Sequence, residues 1–248
     1  VVCDVSVVIP AHRAAATIGR TIASVLPALP PHNIIVVLDG PDAELESAAR
    51  DAGSTAQGSI DIVVLPGHCG AATCRNAGLA RVTSNHVMFL DADDYLEGDV
   101  LAYAHAAATT EDADIVIGRY AHEMPDGSRT YVDSGQIYQP LDCQTVMTRW
   151  LTGYYTPPCA VLWRSGHIRD LGGWDESLKK NQDGDMVYRS LTHGPRLALS
   201  AGGCSIYSQG DAPTRISRQQ TPGTLESQFT VLEKLRCTLA ELPFDPSR

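Results

Sequence analysis

Four short apolar runs mark the first 90 residues, at 5–9 (VSVVI), 34–38 (IIVVL), 60–65 (IDIVVL) and 87–90 (VMFL). Each is too short for a helix and mostly apolar on both sides, the pattern of a strand buried between two layers. Between them lie segments of helical character at 17–26, 42–52 and 70–82. The first of these ends at Pro27 and the Pro30–Pro31 pair, and the second has Asp42 near its start. Pro10 is expected to stop the first strand. Strict alternation of strand and helix predicts a parallel sheet with crossover helices. In such sheets ligands bind beyond the carboxyl ends of the strands. That rule gathers His12, Arg13, Asp39, Gly67 and the run Asp91, Ala92, Asp93, Asp94 at one rim.

After Asp94 the alternation loosens. A helix is expected over 99–109, a strand over 115–120, and a turn at 125–128 (PDGS) between hairpin strands. A helix over 142–152 is followed by YYTPPC (154–159), a strand at 160–163 and a tight LGGW turn within 168–174. Residues 183–191 read as a helix with Asp183 at or near its N-cap. The last helix, 225–242, repeats leucines and Phe229 at steps of three and four, an amphipathic pattern. Packing on the domain is the expectation for it, with a homodimer contact or peripheral membrane association as alternatives.

The abrupt change from VMFL to Asp91-Ala92-Asp93-Asp94 is the strongest chemical signal. Three carboxylates on four residues repel one another, and hard divalent cations such as Mg²⁺ or Mn²⁺ prefer oxygen ligands. If the chain stays extended past Leu90, Asp91 and Asp93 point to one side. The competing reading is a solvated acidic turn.

Composition narrows the classes. The 248 residues are 44% hydrophobic and 19% charged, which suits a folded globular chain rather than a disordered one. A formal charge of −10 argues against a nucleic-acid partner. No apolar run approaches the ~20 residues of a transmembrane segment, and the start lacks the pattern of a signal peptide. It also lacks an initiator Met, so a piece of something longer is expected. The seven cysteines (3, 69, 74, 143, 159, 204 and 237) are odd in number and form no CxxC pair. They read as reduced thiols of a cytoplasmic protein.

Taken in order, VSVVIPAHR, VVLDGPD, GAATCRNAGLA, FLDADD, LGGWDESL and NQDGDMVYR resemble the family 2 glycosyltransferases over roughly residues 5–217. The resemblance implies the GT-A fold: an α/β arrangement with a Rossmann-like, mostly parallel central sheet flanked by helices and a smaller mixed acceptor-binding half. It implies one GT-A domain over 1–224, with 1–94 binding the nucleotide sugar and 95–224 the acceptor, followed by the amphipathic helix and tail at 225–248.

The family's roles carry over position by position. Pro10, Ala11, His12 and Arg13 would line the nucleobase pocket, with His12 where a Tyr is usual. Asp39 would accept from a pyrimidine N–H, although Leu38 stands where a second Asp is common. Arg75 and Asn76 match the pair on the helix beside the nucleotide, a salt bridge from Arg75 to the acidic cluster being the alternative. Asp91 and Ala92 would lie near the ribose, with Asp91 close to the metal, and Asp93 would be the direct ligand of Mn²⁺ or Mg²⁺. Asp183 matches the general base, Gln182 replaces the usual Glu beside it, and Asp185 is the fallback.

The implied activity is inverting transfer of a sugar from a nucleotide diphosphate sugar, UDP preferred, to a glycan or lipid-linked acceptor. Tyr154, Tyr155, Trp163 and Trp174 are candidates for the acceptor side, with core packing favoured for Trp163. Arg215 and Arg218 would close over the diphosphate. The protein is expected in the cytoplasm, in the membrane-associated case at the inner face. A nucleotidyltransferase would need a basic, Gly-rich loop after the first strand, which PAHRAAATIG lacks. A non-catalytic sugar-nucleotide-binding module would need no base.

Overall fold

Strand β1 (Val5–Ala11) is buried along its whole length inside a seven-stranded sheet. The computed structural model describes residues 3–55, 58–210 and 220–241. After β1 come α1 (Ile18–Val25), β2 (Ile34–Leu38), α2 (Ala43–Gly53), a ribbon of β3 (Ser54–Thr55) and β4 (Gly58–Ser59), β5 (Asp61–Val64), α3 (Ala71–Leu79) and β6 (His86–Phe89). Next are β7 (Tyr95–Glu97), α4 (Val100–Thr110), β8 (Ile115–Ile117), β9 (Tyr120–Glu123), β10 (Arg129–Val132), α5 (Ser134–Ile137) and α6 (Cys143–Leu151). The chain continues through β11 (Val161–Arg164), α7 (Ser165–Asp170), α8 (Gln182–Thr192), β12 (Leu197–Leu199), β13 (Cys204–Ser208) and α9 (Pro222–Glu241).

The large sheet runs β12-β8-β11-β6-β1-β2-β5. Its ladders are parallel except where β11 meets β6 and β8. Period-two alternation splits the core into two layers. Val5, Val7, Ile9, Val36, Leu38 and Met88 cluster with Ile18 and Ile22 of α1, Leu45 of α2 and Leu101 of α4. Val8, Ile35, Val37, Val87 and Phe89 cluster with Cys74 of α3, Met186 of α8 and Val231 of α9. Helices on both faces explain why these strands are apolar runs rather than alternating ones. Helix α3 comes close because it carries Gly78, where a Cβ would sit 2.3 Å from Val8 Cγ1.

Three local expectations need correction. Pro10 does not stop β1 but lies within it, opposite Val37. Leu90 N–H donates to Val8 O at 3.0 Å, so the N–H that Pro10 lacks would face Leu90 at the end of β6, where the ladder between β1 and β6 stops. The strand expected over 115–120 is two strands in different sheets. Gly118 N–H donates to Ala160 O at 2.7 Å and Ser205 N–H to Arg119 O at 3.1 Å, which turns the chain into a smaller sheet of order β10-β9-β13-β7. Helix α7 occupies positions read as a turn approach. Asp183 lies near the N-cap of α8, as read, inside the first turn, and the N-cap itself is Asn181 at φ 61°.

The last helix packs on α8, with Val231 and Leu235 buried and Leu225, Phe229, Leu232 and Leu239 exposed. No helix among the described residues is long and apolar enough to cross a membrane.

Candidate active site

The parallel strands β1, β2, β5 and β6 end at one rim, and two neighbouring groups of side chains occupy it. The first surrounds a cavity of about 170 Å³ lined by Ala11, His12, Arg13, Asp39, Gly40 and His68, among others. Asp39 N–H donates to Ala11 O at 2.9 Å, joining the ends of β1 and β2. Its Oδ1 accepts from Cys69 N–H at 2.6 Å and Gly70 N–H at 3.0 Å, so the loop before α3 fixes the carboxylate. His12 and His68 meet edge to face with centroids 4.7 Å apart. Pro10, expected in this lining, is buried within β1 and does not line the cavity.

The second group is the acidic turn. The chain does not stay extended after Leu90: Asp94 N–H donates to Asp91 O at 3.0 Å, closing a turn over Ala92 and Asp93. The same-side argument for Asp91 and Asp93 therefore fails, because a turn replaces the pleat. Thr21 Oγ1 lies 2.9 Å from Ala92 O and 2.7 Å from Asp94 O, and Arg20 donates to Asp93 O at 3.0 Å. Asp94 is fully buried, with Oδ1 accepting from Ser208 N–H at 2.9 Å and Oδ2 without a hydrogen-bond partner among the described residues. Burial, then the charges of Asp93 and Asp91, hold its carboxyl well above the usual range.

Arg75 joins this turn to the start of α8. Its side chain is only 5% exposed and lies over the Trp174 ring at 4.5 Å. It reaches Asp91 Oδ1 at 2.9 Å, Gln182 Oε1 at 3.2 Å and Asp183 Oδ1 at 3.7 Å. Ion pairing to the acidic cluster, the alternative for Arg75, is thus what the geometry shows. Gln182 keeps a polar contact where a second acid is usual.

Asp183 presents a side chain 37% exposed, yet its Oδ1 is shut off from solvent without a hydrogen-bond partner among the described residues. Burial pushes its carboxyl up, the Arg75 charge opposes the shift, and Asp91 adds to it. Asp185 is only 2% exposed and is held by Arg189 at 2.8 Å and Lys234 at 2.6 Å. Two cations make it a structural carboxylate, so the fallback base is removed. Asn76 also has a structural task. Its amide donates to Trp174 O and Glu176 Oε1 and accepts from Trp174 N–H, all within 2.9 Å.

Trp163 and Trp174 are buried, while Tyr154 and Tyr155 are 50% and 36% exposed. Arg215 and Arg218 lie outside the described residues. The sequence reading missed His68, Arg20 and Lys234. The rim rule reached Gly67 and could have found His68 one position on. Nothing in the sequence pairs Lys234 with Asp185, 49 residues earlier.

Residues 6–169 match the family described as Glycosyl transferase family 2. The chain belongs to this family. Among family 2 relatives, it is 30% identical over 202 residues to the pre-mycofactocin glycosyltransferase of Mycobacterium tuberculosis (strain CDC 1551 / Oshkosh), across 78% of this chain and 40% of that protein. It is 35% identical over 209 residues to the succinoglycan biosynthesis protein ExoU of Rhizobium meliloti (strain 1021), across 79% and 59%. The chain therefore spans only part of the length of these relatives. Crystal structures of S. aureus TarS 1-349 superpose with a TM-score of 0.77 in complex with UDP-GlcNAc and 0.73 with UDP, at 16% identity. They cover 98% of this chain and about two thirds of theirs. At that identity the likeness establishes the GT-A fold of family 2.

Proposed function

We propose that this domain is an inverting glycosyltransferase that uses a nucleotide diphosphate sugar, with UDP as the nucleotide, and a hydroxyl of a glycan or lipid-linked acceptor. The observation that carries the reading is Arg75, whose single guanidinium bridges Asp91 of the acidic turn and Asp183 of α8. Donor and acceptor chemistry thereby share one cleft. Residues 1–94 hold the donor in this reading and residues 95–224 the acceptor. TarS, with the same fold, was crystallised with UDP and with UDP-GlcNAc, which supports a uridine donor.

The base sits in the His12–Asp39 cavity, where Asp39 accepts from the pyrimidine N–H and His12 offers a flat ring. Asp183 takes the proton of the acceptor hydroxyl as its oxygen attacks the anomeric carbon from the face opposite the diphosphate. One bond forms as the sugar–phosphate bond breaks, so configuration inverts. Arg75 orients Asp183 and Asp91 through its forked donors. Tyr154 and Tyr155 offer exposed rings to the acceptor.

The residues present suit a divalent cation. The carboxylates of Asp91 and Asp183 flank the buried guanidinium of Arg75, Asp93 and Asp94 crowd the same acidic turn, and Asp94 Oδ2 has no hydrogen-bond partner among the described residues. Burial, with the charges of Asp93 and Asp91 adding to it, raises the Asp94 carboxyl, and a positive charge at the turn would relieve that repulsion. Asp91 and Asp93 would hold Mn²⁺ or Mg²⁺. When bound, such an ion supplies charge neutralisation to a departing diphosphate.

Incubation with UDP-sugars, Mn²⁺ and an acceptor panel tests the reading. UDP release that needs an acceptor, stops in EDTA and returns with Mn²⁺ supports it. Undiminished transfer in chelator would remove the cation, and failure of every nucleotide sugar to raise the melting temperature would remove the donor class.

A further inference from the structure

His12, Asp39 and His68 bring together one ligand atom each, all within 4.8 Å of one another. Two imidazoles and a carboxylate are the donor set of Zn²⁺ and related first-row ions, not of Mg²⁺, which favours oxygen. The surroundings are those of a built site. His68 Nδ1 lies 2.5 Å from Asp39 O, so an Nδ1–H donated to that carbonyl leaves the Nε2 lone pair to bind. Ligating histidines are commonly fixed through the second nitrogen in this way. The Asp39 carboxylate is steadied through Oδ1 by two backbone N–H groups. Gly40, at φ 93°, makes room for the ring, since a Cβ there would sit 2.9 Å from His68 Nδ1.

We infer that His12, Asp39 and His68 form a second metal site, separate from the acidic turn, for an imidazole-preferring divalent ion of the Zn²⁺ class. Three protein donors leave a position for water, the open form of such sites. Donors around a tetrahedral Zn²⁺ lie about 3.3 Å apart, given bonds of ~2.0–2.1 Å. The side chains must therefore close by no more than about 1.5 Å from the observed spacing, a rotation open to the exposed His12 and His68. Asp39 cannot hold such an ion and accept from a pyrimidine at once. Zn²⁺ and the nucleotide would therefore exclude one another; this consequence alone rests on the function proposed above.

Titration with Co²⁺, followed by its visible ligand-field bands and by calorimetry without nucleotide, tests the site. The chain carrying Cys69→Ser and Cys237→Ser is the background, because these two thiols are the exposed ones among the described residues. With saturating Mg²⁺ present to fill the acidic turn, the expected result is one Co²⁺, displaced by Zn²⁺. Affinity should weaken ~10-fold or more in His12→Gln and in His68→Gln and be retained in Asp93→Asn. Wild-type affinity in both histidine variants, loss of binding in the Cys69→Ser, Cys237→Ser background, or loss in Asp93→Asn would overturn the site. Added UDP should bleach the bands. Bands that persist while UDP is bound would leave the metal site standing and remove Asp39 as the pyrimidine acceptor.

Discussion

Asp183 and Asp185 stand two positions apart in the first turn of α8, and their surroundings separate them. Asp185 is buried between Arg189 and Lys234, whereas Asp183 faces the cleft with Arg75 as its cation at 3.7 Å. Asp183→Asn is therefore expected to lower turnover ~10²–10⁴-fold, the usual worth of a positioned base, with UDP affinity unchanged. Single-turnover kinetics beside calorimetry checks this, and equal losses in both would mean that the residue binds donor instead. Motif order was enough to place Asp39 and Asp91 after strands and Asp183 at the start of a helix, which is where they lie. It could not show that Asn76 is occupied by the Trp174 backbone, or that Asp94 is buried beneath the acidic turn. Those outcomes depend on which distant chain segments close around each side chain.

At the level of elements, the parallel half was legible because both faces of its strands are covered, leaving continuous apolar runs. The later half was less so. Strand 115–120 reads as one run, and only hydrogen bonds to Ala160 and Ser205, 42 and 86 residues beyond Gly118 and Arg119, divide it between two sheets. The seat of α3 has a plainer cause, the missing side chain of Gly78. Gly78→Ala should force a methyl against Val8, with overpacking costs of about 1–3 kcal/mol. Chemical denaturation should show a lower midpoint with an unchanged m-value, and a wild-type midpoint would mean that α3 shifts without cost. Because Arg75 rides on the same helix, the surviving folded fraction should also show weaker transfer.

For the molecule as a whole, acid sensitivity has an identifiable source. His86 is 7% exposed, and neither ring nitrogen has a hydrogen-bond partner among the described residues. Burial lowers its pKa, with the charges of His105 and Arg164 adding to the effect. A folded value below the unfolded one means that the neutral ring is the stable form. Its contribution is full above the unfolded value of about 6.5 and is lost as pH falls below that. Between about pH 7.5 and 5, the wild type should lose stability faster than His86→Gln; parallel curves would exclude the residue as the source. His122 and His167, also lowered by burial, act in the same direction and should leave a residual slope in that variant.

Lys234 belongs to the amphipathic helix that the sequence sets apart from the GT-A domain, and its ammonium contacts Asp175 at 2.7 Å and Asp185 at 2.6 Å. A gene shortened upstream of codon 234 would leave an interior anion with a single neighbour of opposite sign, directly beneath the turn that presents Asp183. Anyone trimming this chain should accordingly keep the terminal helix, since removing it would unsettle Asp183, the proposed proton acceptor, from behind.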